Sequence, residues 1–466
     1  MTAVMLIVAV LAVAVVVYML IKKADIKLTL FGVGFLLLVI ALIMGKEILE
    51  DTQTWVVPFQ VIVDEFKRTL GRAGFIILVL GGYTRYMSHI GANEVTVATL
   101  TKPLKHIKSP YILVPVVFLL GNLLSLVIPS ASNLSIILLA TLYPVLKSAG
   151  MTTLTAAGVI ATTATVMPTP LGGDNVAIAA ELAQYPEFAG LTATEYVLKY
   201  HAIISIPTLI LMAVVHYFWQ KYKDKQMIKA GVIQPELEVD ESKAVKVEGS
   251  GLFKTVYTLL PILPIVLLII IYIIDINTEA NVMLGVELAV FICFFVAIIC
   301  ELFRKRDGKQ VMKDAGVFFQ GMAGSFDIVV LLVAASVFVA GLKGIGLISF
   351  LETTMQNSSS SGIILPLIMV LLTALIVILS GSGTALFYSM VPLMYSLAAA
   401  AGISAVMISI PMGLAGNLLR AVSPVSAVVM IVAGSTKQSP IEIVKRTSVP
   451  MIVGVVFMFI MSMILL

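Results

Sequence analysis

Apolar runs long enough to cross a bilayer recur along this chain, separated by short polar stretches. A crossing takes about 20 mainly apolar residues to span about 30 Å of hydrocarbon. In the first half such runs fall at 2–21, 28–45, 72–90, 152–184 and 200–219, the fourth of them broken in its middle. In the second half they fall at 254–274, 282–301, 325–343, 404–433 and 447–465. Each half also holds a different kind of segment. Residues 94–108 are short and Lys-containing, which predicts an interfacial helix, and 110–146 hold two apolar runs joined at Pro129-Ser130-Ala131-Ser132-Asn133. The second run, Leu134 to Leu146, is short for a crossing, so a re-entrant hairpin is expected. A matching interfacial stretch near 346–357 and a second hairpin at 362–398 follow, the latter with the tip Ser380-Gly381-Ser382-Gly383-Thr384.

This pattern predicts an all-α polytopic membrane protein built from two repeats, each with five spanning helices and one re-entrant hairpin. Small similarities in shared order support a duplication. Ala149-Gly150-Met151 matches Ala401-Gly402-Ile403 after each hairpin, and Gly172-Gly173-Asp174-Asn175 falls opposite Gly413 through Asn417. Five is odd, so the second repeat begins on the opposite side and the repeats have inverted topology. The first repeat covers 1–219 and the second 253–466. A polar linker at 220–252 joins them, carrying Lys221, Lys223, Asp224, Lys225, Glu236, Glu238, Asp240 and Glu241. It has too few large apolar residues to bury a core.

Composition agrees. The 466 residues are 60% hydrophobic and only 12% charged, against about 25% charged in soluble domains. Lipid is the expected neighbour of the outer face, and no basic domain points to nucleic acid. The run Met1 to Tyr18 lacks a basic leading region and is followed by Lys22 and Lys23, so it reads as a first span rather than a signal peptide. Lys and Arg orient the chain. With both termini outside, the inner loops gather Lys22, Lys23 and Lys27, then Lys102, Lys105 and Lys108, then Lys147 and the 221–225 cluster. They also gather Arg304 through Lys313, and Lys437, Lys445 and Arg446. One loop, 46–72, is ambiguous: it is placed outside yet holds Lys67, Arg68 and Arg72. Cys293 and Cys300 share one apolar run, match no metal spacing and read as packing residues.

Candidate chemistry lies where helices break. Inside hydrocarbon a backbone leaves helical geometry only where protein or a wet cavity satisfies it. Four breaks occur at matched positions. Two are the hairpin tips. One runs from Pro168-Thr169-Pro170 to Asp174-Asn175, and one from Pro411 through Gly413, Gly416, Asn417 and Arg420 to Ser423-Pro424. Broken helices expose amide-rich N-termini that attract anions, and carbonyl-rich C-termini that attract cations. Such a site holds an organic anion beside a coupling cation. Arg420 is the candidate carboxylate clamp, because its rigid fork matches a carboxylate; an internal ion pair with Asp174 and a surface-seeking side chain are the bland readings. The expected substrate set is Ser130, Ser132, Asn133, Ser380, Ser382, Gly383, Thr384, Asn417, Arg420 and Ser423. Asp174, with Thr169, Gly173 and Asn175, is the candidate for a coupling ion or proton, with Na+ conceivable near Asn133, Asp174 and Asn417. For the serines and asparagines, turn chemistry and helix capping are the alternatives. Arg85, His89, His201, His216, Glu287 and Asp327 read as boundary or packing residues. No nucleophile or acid–base constellation suggests an enzyme, and no cofactor is expected. A secondary transporter is the reading, with a transporter of another organic anion or an ion channel as alternatives.

Several long stretches carry a family likeness: Tyr86-Met87-Ser88-His89-Ile90-Gly91-Ala92-Asn93, Pro168-Thr169 through Gly173-Asp174, Asn417-Leu418-Leu419-Arg420-Ala421-Val422-Ser423-Pro424-Val425-Ser426, and Ser439 through Pro450. His216-Tyr217-Phe218-Trp219-Gln220 adds to them. The chain resembles the anaerobic C4-dicarboxylate carriers, the DcuC group of the ion-transporter superfamily. That resemblance implies transport of succinate, fumarate or malate across a bacterial inner membrane by alternating access, driven by a cation gradient or by exchange. It also implies a homodimer, an elevator-type motion and mobile transport regions at about 110–186 and 362–433. The first tip, Ser130-Ala131-Ser132-Asn133, is close to the Ser-Asn-Thr tip of sodium–dicarboxylate relatives without matching it.

Overall fold

The computed structural model describes residues 2–22, 24–49, 54–166, 168–231, 250–278, 284–347, 350 and 362–466. Its elements are helices, and the chain is an all-α polytopic membrane protein. Seven of the described helices are long and apolar enough to cross a bilayer, or eight if one bent pair is a single span. Two of the ten expected spans are interrupted in the structure. The helix pair Gly251–Leu259 and Leu263–Thr278 bends by 58° within the run expected to be one straight span. The run 152–184 divides into Thr153–Ala161 and Gly173–Leu182, each too short to cross alone. The expected interfacial stretch 346–357 lies mostly outside the described residues, as do 232–249 of the linker. The linker's first ten residues continue a helix, Ala202–Lys229, beyond its expected end at 219.

Lipid-facing surfaces are legible along the outer helices. Ile203, Ile206, Ile210, Val214 and Phe218 are exposed at helical spacing on Ala202–Lys229. Ile452, Val456, Ile460 and Ile464 form a similar stripe on Pro440–Leu465. An apolar face of this size in water would aggregate; in lipid it is the solvated side.

The centre is organised around Val317–Gly344, which crosses Ile26–Ile43 and Phe75–His89. Both crossings are made by glycine. A Cβ on Gly34 would sit 2.7 Å from the Phe338 backbone, and one on Gly341 would sit 2.7 Å from the Gly34 carbonyl. On the other side Gly81 and Gly82 meet Ser325 and Phe318, and Gly321 meets Gly82. Small residues at such seams let helix backbones approach closely in a medium that provides no hydrophobic drive between helices. Before Phe75–His89 the chain forms the amphipathic helix Val57–Thr69, in keeping with the mixed charge of 46–72, and then a π-turn at Leu70–Gly74 with Arg72 out of helical geometry.

Both hairpins form. The first comprises Pro110–Ser125 and Ala131–Thr141, and the second Ile364–Ser380 and Thr384–Ala401. Ser130 caps Ala131–Thr141 by accepting from the Asn133 amide at 3.3 Å, the role for which a hydroxyl just ahead of a helix is suited. The second tip turns on Gly381 at φ +82°. A side chain there would strike the Val425 carbonyl at 2.7 Å, so glycine is required both by the turn and by the contact.

Candidate functional site

Helices break near both expected positions, the first between Ala161 and Gly173 and the second only from Arg420, since the helix continues through Pro411 to Leu419, and the loose backbone groups find partners. Between Thr153–Ala161 and Gly173–Leu182 the chain is irregular, with Ala164 at φ +64°. That conformation costs a non-glycine residue about 1–2 kcal/mol, and surrounding contacts hold it. Asn122, buried on the first arm of the first hairpin, takes up the break. Its Oδ1 accepts from the amides of Thr165 at 3.0 Å and Val166 at 3.1 Å. Its Nδ2 donates to the carbonyls of Phe118 at 2.9 Å and Thr162 at 3.3 Å. All four bonds of the amide are used.

In the second half, Val406–Leu419 passes into a 3-10 turn at Arg420–Val422 and then into extended backbone at Ser423. Ser426 caps the next helix, Ala427–Thr436. The second hairpin tip packs on this break: a Cβ on Gly383 would lie 3.1 Å from Gly416 Cα, and Ser423 Oγ donates to the Ile378 carbonyl at 2.9 Å.

Tips and breaks from both halves border one cavity of about 920 Å3. Of the expected site residues, Ser130, Asn133, Gly173, Asp174, Gly383, Thr384, Asn417 and Arg420 line it. Six others do not. Thr169 donates to the Leu126 carbonyl at 3.0 Å, and Asn175 Nδ2 donates to the Thr169 carbonyl at 3.0 Å, so both tie the first break together. Ser380 and Ser382 serve the backbone of their own tip, the Ser380 hydroxyl donating to the Ile376 carbonyl at 2.7 Å and Ser382 Oγ accepting from the Thr384 amide at 3.4 Å. Ser423 braces the second hairpin as described, and Ser132 lies beside the first tip without reaching the cavity wall.

The Arg420–Asp174 ion pair, one of the bland readings, is not among the described ion pairs. Instead Asn417 Nδ2 donates to Asp174 Oδ2 at 3.2 Å, and Arg420 Nη2 donates to the carbonyl of Ala164 at 3.1 Å. These two bonds join the break of one half to the break of the other. Arg420 Nε–H is buried with no acceptor among the described residues.

Further polar residues line the cavity beyond the expected set. Arg85 was read as a boundary residue, yet it lines the cavity with Ser88 from Phe75–His89. Tyr388 stands over Gly173, where a Cβ would come within 3.0 Å of its hydroxyl. Glu94, at the start of Ala92–Thr101, also lines the cavity, with Oε2 buried and without a hydrogen-bond partner among the described residues. Gln320 completes the polar wall from Val317–Gly344. Two residues outside the cavity find charged partners. Asp327 pairs with Lys27 at 3.0 Å, and His89 lies 3.2 Å from Asp314 in a cluster with Lys305.

The whole chain, residues 1–466, matches the family model described as C4-dicarboxylate anaerobic carrier, DcuC. The chain belongs to the DcuC family. It is 36% identical over 437 residues to the anaerobic C4-dicarboxylate transporter DcuC of Escherichia coli K12, covering 92% of this chain and 90% of that one. A probable anaerobic C4-dicarboxylate transporter DcuC of Vibrio cholerae is 37% identical over 451 residues, covering 95% and 93%. Among solved structures, the YdaH transporter of Alcanivorax borkumensis superposes with a TM-score of 0.67 at 18% identity, covering 94% of this chain and 97% of that one. MtrF of Neisseria gonorrhoeae, from a class of antimetabolite efflux pumps, superposes at 0.61 with 13% identity, covering 94% and 95%. At those identities the likeness concerns the fold. DcuC-family proteins are transporters and not enzymes.

Proposed function

We propose that this DcuC-family protein is a secondary transporter of C4-dicarboxylates such as succinate, fumarate or malate, and that the cavity between its two halves is the substrate site. Arg420 takes one carboxylate, using the Nε–H that has no acceptor among the described residues. Ser130, Asn133, Thr384 and Asn417 offer hydrogen-bond partners around the same space, and the Gly383 backbone lets the second tip come close. Asp174, fixed by Asn417 and the Asn175 amide, is the candidate for a coupling cation or proton, with Gly173 beside it. Thr169, Asn175, Ser132, Ser380, Ser382 and Ser423 shape the breaks and tips rather than touch the solute.

The same reading makes the halves 1–219 and 253–466 inverted repeats, joined by a cytoplasmic linker at 220–252. Transport regions at about 110–186 and 362–433 move past the rest of a homodimer in an elevator-type cycle. Both termini face the periplasm of a bacterial inner membrane. The cavity rim at Arg85, Ser88 and Glu94 then faces inward, because it lies toward the end of the third crossing.

One observation carries this reading: matched breaks from opposite halves are bonded to each other on the wall of one polar cavity, through Asn417–Asp174 and Arg420–Ala164. A polar wall around broken helices at membrane depth is costly and is retained where a solute passes. Counterflow of labelled succinate in proteoliposomes tests it. Four-carbon dicarboxylates should compete and monocarboxylates should not. Equal competition by monocarboxylates would assign a different organic anion, and non-saturating conductance would assign a channel.

A further inference from the structure

Charge balance in the cavity singles out Glu94. Four charged side chains line the wall: Arg85 and Arg420 are cationic, Glu94 and Asp174 anionic, so the formal charge is zero. A C4-dicarboxylate brings two negative charges into this neutral space. Opposite or like charges a few ångströms apart in a protein-lined site interact by several kcal/mol at low effective dielectric. One anionic wall residue in neutral form would leave the wall with a net charge of +1.

The two carboxyl groups differ in their surroundings. Asp174 has a donor on each oxygen, the Asn175 amide at 3.0 Å and Asn417 Nδ2 at 3.2 Å. Glu94 has Oε2 buried and without any partner among the described residues. An unpaired buried oxygen is costly when charged and much less so when it carries a proton. Where two carboxyl groups in one site have such different settings, they divide the roles of charged and neutral group between them.

We propose that Glu94 takes up a proton together with the dianion, so that substrate and proton occupy the cavity as a linked pair. This rests on the substrate reading given above. Burial already pushes the Glu94 carboxyl up from the usual carboxylate range, and a dianion arriving in the same cavity raises its proton affinity further. By linkage the reverse holds: the neutral carboxyl binds the dianion more tightly.

The neighbours of Glu94 leave this role open to it. The titratable and charged groups on the helices packed against Ala92–Thr101 are Tyr83, Arg85, Tyr86 and His89 on Phe75–His89, and Lys254 and Tyr257 on Gly251–Leu259. Lys102, Lys105 and His106 follow on the adjoining turn, and Ala131–Thr141 carries none. None of these forms a described ion pair with Glu94, and His89 is taken by Asp314. Across the cavity stand Asp174, Tyr388 and Arg420.

Fumarate binding to the purified full-length protein tests the proposal, because fumarate is a strong enough acid to stay a dianion over the range used. Wild-type affinity should be about tenfold higher at about pH 6 than at about pH 8, because a proton taken up with the dianion is scarcer at the higher pH. Glu94→Gln should remove the slope and keep the tight, low-pH affinity at the high pH. A merely structural role would weaken binding instead. Glu94→Asp keeps the titrating group and should keep the slope. A wild type that binds fumarate equally at both pH values overturns the proposal and leaves the transport reading standing. So does Glu94→Gln with an unchanged slope, or Glu94→Asp without one. A wild type that binds no dicarboxylate at any pH overturns the substrate reading and this proposal with it.

Discussion

Two arginine–aspartate sets lie in this molecule, and they are treated in opposite ways. Arg446 and Asp224 join the last helices of the two halves and are 3% and 1% exposed. Arg446 Nη1 donates to Asp224 Oδ1 at 2.7 Å, and also reaches Thr155 Oγ1 at 3.2 Å and Gln220 Oε1 at 3.4 Å. Asp224 accepts further from Thr152 and Thr155, each at 3.0 Å. Both Asp224 oxygens and both Arg446 Nη atoms have a protein partner, and the cluster is closed off by its burial. Arg420 and Asp174 also come from opposite halves, yet they make no ion pair within 4.0 Å, keep only light protein contacts and face open space. A closed pair holds the fold together; spare bonding capacity aimed into a cavity is what a solute can use. Chemical identity does not separate the two sets, but partner accounting does.

The sharpest way to test that contrast is to break each set. Arg446→Ala should have the largest effect, about 3–5 kcal/mol of lost stability, because it strands a buried charge; thermal unfolding in detergent measures it. Replacing Arg446 and Asp224 together by apolar residues of similar volume should recover most of that loss. If Arg446→Ala unfolds at the wild-type temperature, the cluster is not structural. Arg420→Ala should cost about 2–4 kcal/mol in substrate affinity, read from counterflow, with an unfolding temperature close to wild type. Arg420→Lys should restore little, because a point charge does not reproduce the planar fork. Asn122→Ala should come next, at about 1–3 kcal/mol of stability, since it leaves the amides of Thr165 and Val166 without an acceptor. Ser382→Ala should be smallest, within about 0.5 kcal/mol and with near-normal counterflow. A strong transport defect in Ser382→Ala would return that hydroxyl to the solute-contacting set.

Much of this arrangement was legible in the sequence because proline and glycine interrupt apolar runs where a continuous span would be expected. That pattern points to both hairpin tips and, to within several residues, to the two breaks: the first lies between Ala161 and Gly173, and the second begins only at Arg420, after a helix that runs through Pro411 to Leu419; eight of the expected residues line the cavity. What the sequence concealed were partners rather than elements. Asn122 sits alone among apolar residues on the first arm, and that solitude was the available signal. Asp224 fell in a stretch so rich in lysine that it read as linker, although its partner lies 222 residues away. Arg85 and Glu94 flank the segment Tyr86–Asn93, whose family likeness drew attention while its charged neighbours were assigned to the membrane boundary. Whether a charge near a helix end faces headgroups or a cavity depends on tertiary packing, which periodicity does not encode.

The glycine crossings at the centre have a consequence for motion. Where backbone touches backbone, as between Gly34 and Phe338 and around Gly341, there is no layer of side chains to change rotamer and let one helix glide over the other. Ile26–Ile43 and Val317–Gly344 therefore behave as a welded frame, and whatever displacement reopens the cavity toward the other face has to be taken up along surfaces where side chains, lipid or water form the bearing.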